Sequence, residues 1–341
     1  MFTSTMKVSM DEVAKKAGVS KTLVSRYLNS KPGVSQESKS RIRNAVEKLN
    51  YRLPGEKEGA VISVILDGIT DFHEPLMSAC SAAALENSCL LTVVDCFGDT
   101  SVKVKNADLL SRGTVRGVII YGSSISDKDM IDIFIRNEIP LVLIENDLPG
   151  AEVEKILVDN FEGQYNITKY VIDRGYRDVR MIPWDLSTRA DTERMAGFLA
   201  ALRENNLMTG NNYICPPEKP GYQGVYDIIE RFHAHHHLPE VFICSGDSIA
   251  SYALIACEKI GIKVPDELSI TGYDGVDIKL LSPWLSSLTT MRQPLEEMGD
   301  YAVKRLLKII KKPDETPQKT MFHTVLIPGG TVNKEGPAWR R

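Results

Sequence analysis

From residue 60 onward, short runs rich in β-branched residues alternate with stretches whose apolar positions recur at helical spacing. Candidate strands lie at 61–66, 90–95, 117–121, 140–145, 179–182, 241–244 and 268–272. Helical patterns lie at 75–86, 163–174, 193–204, 248–260 and 295–310. The strand runs are nearly continuous in apolar residues, the pattern of strands buried on both faces. Such strands with helices between them build parallel sheets through right-handed crossovers. The stretch is too long for one such unit, so the expectation is two doubly wound lobes with a cleft between them. Open parallel sheets bind ligands outside the carboxyl ends of their strands. Glu145, Asp247 and Asp274 each end or closely follow an apolar run, which places them at that cleft.

The residues before that alternation read differently. Val13, Ala14 and Ala17 form one apolar stripe on a helix. Gly18 stands where a chain leaving a helix takes the left-handed conformation, and Ser20 is placed to cap a second helix through its hydroxyl. Leu23, Val24, Tyr27 and Leu28 supply that helix with an inner face, leaving Lys21, Thr22, Ser25, Arg26 and Asn29 outside. A third helical pattern runs over 36–49, with Ser35 as its cap. A short helix with donors on its outer face, fixed across a tight turn, suits the DNA major groove. The alternative is an ordinary helical hairpin with a solvated charged face. Charge favours DNA. Up to Glu58 there are twelve basic and six acidic residues, so the whole-chain charge of −4 leaves about −10 on the rest. A cationic head gains affinity by displacing counterions from phosphates, while an anionic body is repelled by them.

The order Gly18-Val-Ser20, Val24-Ser-Arg26 and Asn29 resembles the amino-terminal headpiece of the LacI/GalR repressors. Four later segments resemble the same family in order: Leu157-Val-Asp-Asn-Phe-Glu-Gly163, Glu193-Arg-Met-Ala-Gly-Phe198, Ile270-Thr-Gly-Tyr-Asp274 and Leu288-Thr-Thr-Met-Arg-Gln293. The resemblance implies an all-α helix-turn-helix headpiece followed by an α/β periplasmic-binding-protein-like core of two doubly wound parallel-sheet lobes. It implies a head at 1–53, a linker at 54–60, one lobe from 61–160 with 290–322, a second from 161–289 with 323–332, and a tail at 333–341.

Function follows from the same resemblance. A homodimer would place two heads on the half-sites of operator DNA, with Lys21, Thr22 and Arg26 meeting bases and Ser20, Ser25 and Asn29 holding phosphates. Arg194 would clamp polar oxygens of an effector, since its planar fork makes two parallel hydrogen bonds. Glu145, Asp247 and Asp274 would accept from effector hydroxyls, and Phe72, Tyr121 or Trp184 would form an apolar wall. Such a lining favours a sugar-like or other small polar ligand, and points to control of a carbohydrate or related operon. Gly246 stands where the family often has Asn, so one amide contact to the effector would be missing.

The link to the core departs from the family. It reads Tyr51-Arg-Leu-Pro-Gly-Glu-Lys-Glu-Gly-Ala60, with Pro54 displaced and with Gly55 and Gly59 opposing a helix. A minor-groove hinge helix is therefore not expected, and Leu53 is the one substitute wedge.

Other motifs carry less. Four histidines within 233–237 read as a solvated helix end rather than a metal site, and no cofactor is expected. The six cysteines show no paired spacing and suit a reducing, cytoplasmic setting. No apolar run is long enough to span a bilayer. A solute receptor or a sugar-acting cleft enzyme could share the core. The head argues against the first, and the lack of a nucleophile–base motif argues against the second.

Overall fold

The computed structural model describes residues 8–28, 33–49, 51, 60–122, 127–208, 212–276, 287–333 and 335–337. Contacts divide the chain into two compact units, residues 1–59 and 60–341. Asn29, Leu53 and residues 54–59 of the linker lie outside the described residues.

The first unit is three helices: α1 (Met10–Ala17), α2 (Lys21–Leu28) and α3 (Gln36–Leu49). Ser9 starts α1 with a reciprocal box, accepting from Glu12 N while its own N donates to Glu12 Oε2 at 2.6 Å. Gly18 ends it at φ 64°, the left-handed conformation expected of that turn. Ser20 Oγ accepts from Leu23 N at 3.2 Å and so caps α2. Val13, Ala14, Ala17, Val24, Ile42, Ala45 and Tyr51 form the buried centre.

The second unit begins with a six-stranded, all-parallel sheet. Its strands are β1 (Ala60–Leu66), β2 (Cys89–Asp95), β3 (Val115–Tyr121), β4 (Leu141–Ile144), β5 (Glu154–Val158) and β10 (Lys319–Phe322), in the order β10-β5-β4-β3-β1-β2. Helices α4 (Glu74–Glu86) and α11 (Leu295–Lys311) cover one face, and α5 (Thr100–Ser111) and α6 (Lys128–Arg136) the other. Gly299 lets α11 approach α4, because a Cβ there would lie 2.5 Å from Leu76 O.

A second parallel sheet holds β6 (Val179–Ile182), β7 (Val241–Cys244) and β8 (Ser269–Thr271). Its helices are α7 (Asn160–Asp173) and α8 (Arg189–Glu204) on one side, and α9 (Gly221–Ala234) and α10 (Asp247–Ile260) on the other. Single bridges from Thr271 to Thr289 and from Asp274 to Arg292 carry it to β9 (Thr290–Arg292), which pairs antiparallel with β11 (Val325–Ile327). The chain thus passes between lobes three times: after β5, along β9, and between β10 and β11.

Two helices begin earlier than periodicity predicts, because their caps lie upstream. Asp159 Oδ1 accepts from Glu162 N at 2.8 Å and starts α7 at Asn160 rather than 163. Thr188 accepts from Asp191 N at 3.1 Å and starts α8 at Arg189 rather than 193.

Candidate functional site

On α2, Lys21, Thr22 and Arg26 are exposed, with Ser20 beside them and Ser25 half-buried. Lys21 Nζ rests 2.8 Å from Asp11 Oδ2, and both side chains remain mostly in solvent. An ion pair of that kind is worth little and yields readily to another acceptor. Arg41 on α3 donates to Gly18 O at 3.1 Å, which stiffens the turn between the two helices. No local pattern announces that contact, since it joins α3 to the turn after α1.

The cleft is organised around α8. Arg194 is almost fully buried, its guanidinium centre 3.8 Å from the centroid of the Tyr273 ring. Its Nε donates to Asn160 Oδ1 at 2.9 Å, its Nη1 to Ser245 O at 2.5 Å, and its Nη2 lies 3.5 Å from Asp274 Oδ1. Asn160 also donates from Nδ2 to Glu145 Oε2 at 2.9 Å, and Gln293 Nε2 donates to Asp274 Oδ1 at 2.8 Å. A continuous chain of polar contacts therefore runs Glu145–Asn160–Arg194–Asp274–Gln293. Asn160 and Gln293 belong to the first and second crossings, so the network spans the hinge between the lobes.

The other expected residues surround it. Glu145 takes a left-handed φ of 57°, and its Oε1 accepts from Val158 N at 2.5 Å. Asp274 sits at φ 119°, a conformation costing on the order of 1–3 kcal/mol for a residue with a side chain. Tyr121 is buried and makes edge contacts with Phe72 at 6.1 Å and His73 at 5.1 Å, forming an aromatic cluster on the first lobe. Trp184 is 55% exposed on the second lobe, its backbone N bonded to Ser245 Oγ at 2.7 Å. Asp247 is fully buried at the start of α10, where Oδ1 accepts from Thr290 Oγ1 at 2.6 Å and Oδ2 from Val276 N at 2.8 Å. Its oxygens are thus engaged by the second crossing and by the backbone after β8, whereas Arg194, Asp274 and Glu145 share one network.

Burial pushes the Asp274 carboxyl up, against the lowering effect of Arg194. Burial and then the Asp274 charge push Asp247 up as well. Burial also works against the charge on Arg194, but Asp274, Tyr273, Asp191 and Glu145 outweigh it and the guanidinium stays charged.

Asn160, Ser245 and Gln293 were missed in the sequence, as were Arg189, Asp191 and Glu193 on the extended first turns of α8. The caps at Asp159 and Thr188 were the available signal. One group of ligand-type side chains converges among the described residues: Asp159, Glu162 and His323, within 4.8 Å. Its geometry is that of a helix cap and a 2.6 Å His323–Glu162 contact. His233, His235, His236 and His237 are exposed at the end of α9. No helix among the described residues is long and apolar enough to cross a membrane.

A three-helix head with an exposed basic reading helix, followed by a two-lobed core whose cleft holds a charged network, defines a DNA-binding regulator with a ligand-sensing domain. Residues 9–53 match the model of bacterial regulatory proteins of the lacI family, and residues 168–332 match the periplasmic-binding-protein-like domain. The two matches, with the relatives below, support a LacI/GalR family transcriptional regulator. It is 29% identical to the HTH-type transcriptional repressor PurR of Yersinia pestis, over 96% of this chain and 98% of the relative. The fold is shared with the transcriptional regulator CelR in its cellobiose complex, at TM-score 0.71 and 18% identity, over 95% of this chain and 100% of the other. It is shared also with the lac repressor dimer bound to operator and the anti-inducer ONPF, at TM-score 0.69 and 20% identity, over 95% and 99%.

Proposed function

We propose that the protein is a cytoplasmic, homodimeric repressor of a carbohydrate or related metabolic operon, and that a small polar effector in the interlobe cleft sets its affinity for operator DNA. The observation that carries this reading is the Glu145–Asn160–Arg194–Asp274–Gln293 chain, because it joins charged side chains of both lobes to two of the three crossings. An effector that bonds these groups favours one lobe arrangement, and the coupling comes from its different affinities for the two arrangements. Lys21, Thr22 and Arg26 read bases, while Ser20, Ser25 and Asn29 hold phosphates. Arg194, Asp274 and Glu145 bind the effector, Phe72, Tyr121 and Trp184 flank it, and Asp247 holds the loop beneath. The lobes are 61–160 with 290–322 and 161–289 with 323–332. The cleft binds its ligand without transforming it: Asp274, Glu145 and Asp247 are tied to Arg194, Asn160 and Thr290.

The test is a gel shift of the full chain on DNA from upstream of its own gene, at two salt concentrations, with and without sugars. Expected are a specific, salt-sensitive shift and a change of about 5-fold or more in affinity with one sugar. Absence of any specific, salt-sensitive shift would overturn the reading.

A further inference from the structure

Arg189, the first residue of α8, reaches from the second lobe to the first in a way the family resemblance does not assign. Its Nη2 lies 3.3 Å from Glu145 Oε1 on the first lobe, and its Nη1 lies 2.5 Å from Glu193 Oε1 on its own helix. The side chain is 23% exposed, yet its Nε is buried and has no hydrogen-bond partner among the described residues. A buried, unpaired N–H on a charged group is costly to leave unmatched, so the position calls for an acceptor. Two further buried atoms are unmatched: Asp191 Oδ1 on the same first turn, and Gln293 Oε1 at the far end of the network, beside Asp274. One donor and two acceptors without partners suit a ligand that both accepts and donates, as a hydroxyl does.

Charge narrows the class. Glu145, Asp159, Asp191, Glu193, Asp247 and Asp274 stand around the network, with Arg189 and Arg194 as its guanidiniums and Arg292 exposed at the edge. Both guanidiniums already face carboxylates. A phosphate would add two negative charges to a site where acids outnumber bases, at short range and partly out of water.

The geometry points to Arg189 as an effector-binding residue that gives its Nε–H to an uncharged oxygen of a polyhydroxylated ligand, in a cleft that selects against phosphate esters. The contact rests on the effector reading above and deepens it. Because Arg189 already holds Glu145 across the cleft, an effector seated on Nε binds the closed pair of lobes and adds to that closure. Arg194 secures the ligand from within the second lobe, and Arg189 reports that the first lobe has met it.

Isothermal titration of the full chain with matched pairs tests this: pentoses, hexoses, disaccharides and nucleosides, each free and as its phosphate ester. Expected is a free compound that binds, with its ester weaker by about 100-fold or more. Arg189→Lys keeps the charge but loses the fork, and should weaken that compound by about 10- to 100-fold. Melting of ligand-free Arg189→Lys and Arg189→Met separates this loss from misfolding. If Arg189→Lys folds and binds as the wild type does, or if an ester binds as well as its parent, the Arg189 proposal falls and the effector reading stands. If no member of any pair binds the wild type, both fall.

Discussion

Arg194 Nε donates to Asn160 Oδ1 at 2.9 Å, so the guanidinium proposed to hold the effector is itself built on the first crossing between the lobes. Asn160 is fully buried, and its amide faces two ways: Oδ1 to Arg194 of the second lobe and Nδ2 to Glu145 of the first. Any shift of one lobe against the other must lengthen one of these bonds or carry Asn160 with it. If Arg194 holds the effector as proposed, ligand occupancy and lobe arrangement are linked through this one side chain.

Replacing that side chain tests the link. Asn160→Ala removes a donor and an acceptor, leaving Arg194 and Glu145 each short of a partner in a buried setting. A loss of about 2–3 kcal/mol of core stability is expected, together with at least about 10-fold weaker effector binding. Urea denaturation and calorimetric titration read the two effects separately. Wild-type affinity in a folded Asn160→Ala protein would show that the crossing does not support the site.

How much of this was readable from sequence divides by range. The apolar stripe of Val13, Ala14 and Ala17, the turn at Gly18, the cap at Ser20 and the buried runs of β1, β3 and β7 are local patterns, and local patterns survive in one dimension. β10 was not legible: Lys319-Thr-Met-Phe322 has no apolar run, and it becomes a strand by pairing with β5 more than a hundred residues upstream. Asn160, Ser245 and Gln293 act through Arg194, Glu145 and Asp274, all distant in sequence, so segments 157–163 and 288–293 resembled the family without showing which polar side chain did what. Arg189 and Asp191 stood outside the predicted helix until Thr188 was seen to cap it.

Gly197 gives a physical reason for part of the Arg-x-x-Gly-aromatic segment. A Cβ at that position would lie 2.2 Å from Phe161 O and 3.0 Å from Tyr165 N, both backbone atoms of α7. Helices α7 and α8 can touch this closely only without a side chain there, and their contact sets Arg194 against Asn160. Gly197→Ala should cost about 1–3 kcal/mol, measured by chemical denaturation, and should weaken effector binding with it. An unchanged midpoint would mean that the two helices separate at no cost.

The head offers a contrast between stability and recognition. Lys21 and Asp11 form an exposed pair, and exposed pairs contribute about 0–1 kcal/mol. Lys21→Ala should therefore leave head melting within a few degrees of wild type. On DNA, the same change removes a cation and should lower operator affinity by about 10-fold while reducing the salt slope by about one. Fluorescence anisotropy across a salt series checks both. Thr22→Ala should instead lower specificity with the salt slope unchanged, since it removes a contact without a charge. A drop in slope for Thr22→Ala would contradict that assignment.

The buried carboxyl of Asp247 makes core stability depend on pH in a defined direction. Burial and the neighbouring Asp274 charge raise it, while hydrogen bonds from Thr290 and Val276 act in the opposite sense. A carboxyl raised in the folded state holds its proton more firmly there than in the unfolded chain. Over the interval from the ordinary value near ~4 up to the raised one, the folded state binds more protons, so stability falls as pH rises. Asp247→Asn removes that titration. The unfolding free energy of the wild type relative to Asp247→Asn should thus decline between about pH 5 and about pH 8, read from urea denaturation at both values. The Thr290→Val change removes the strongest donor to Asp247 and should steepen the decline. Parallel pH profiles for wild type and Asp247→Asn would show that Asp247 stays ionised throughout, held by Thr290 and the loop amides against its burial.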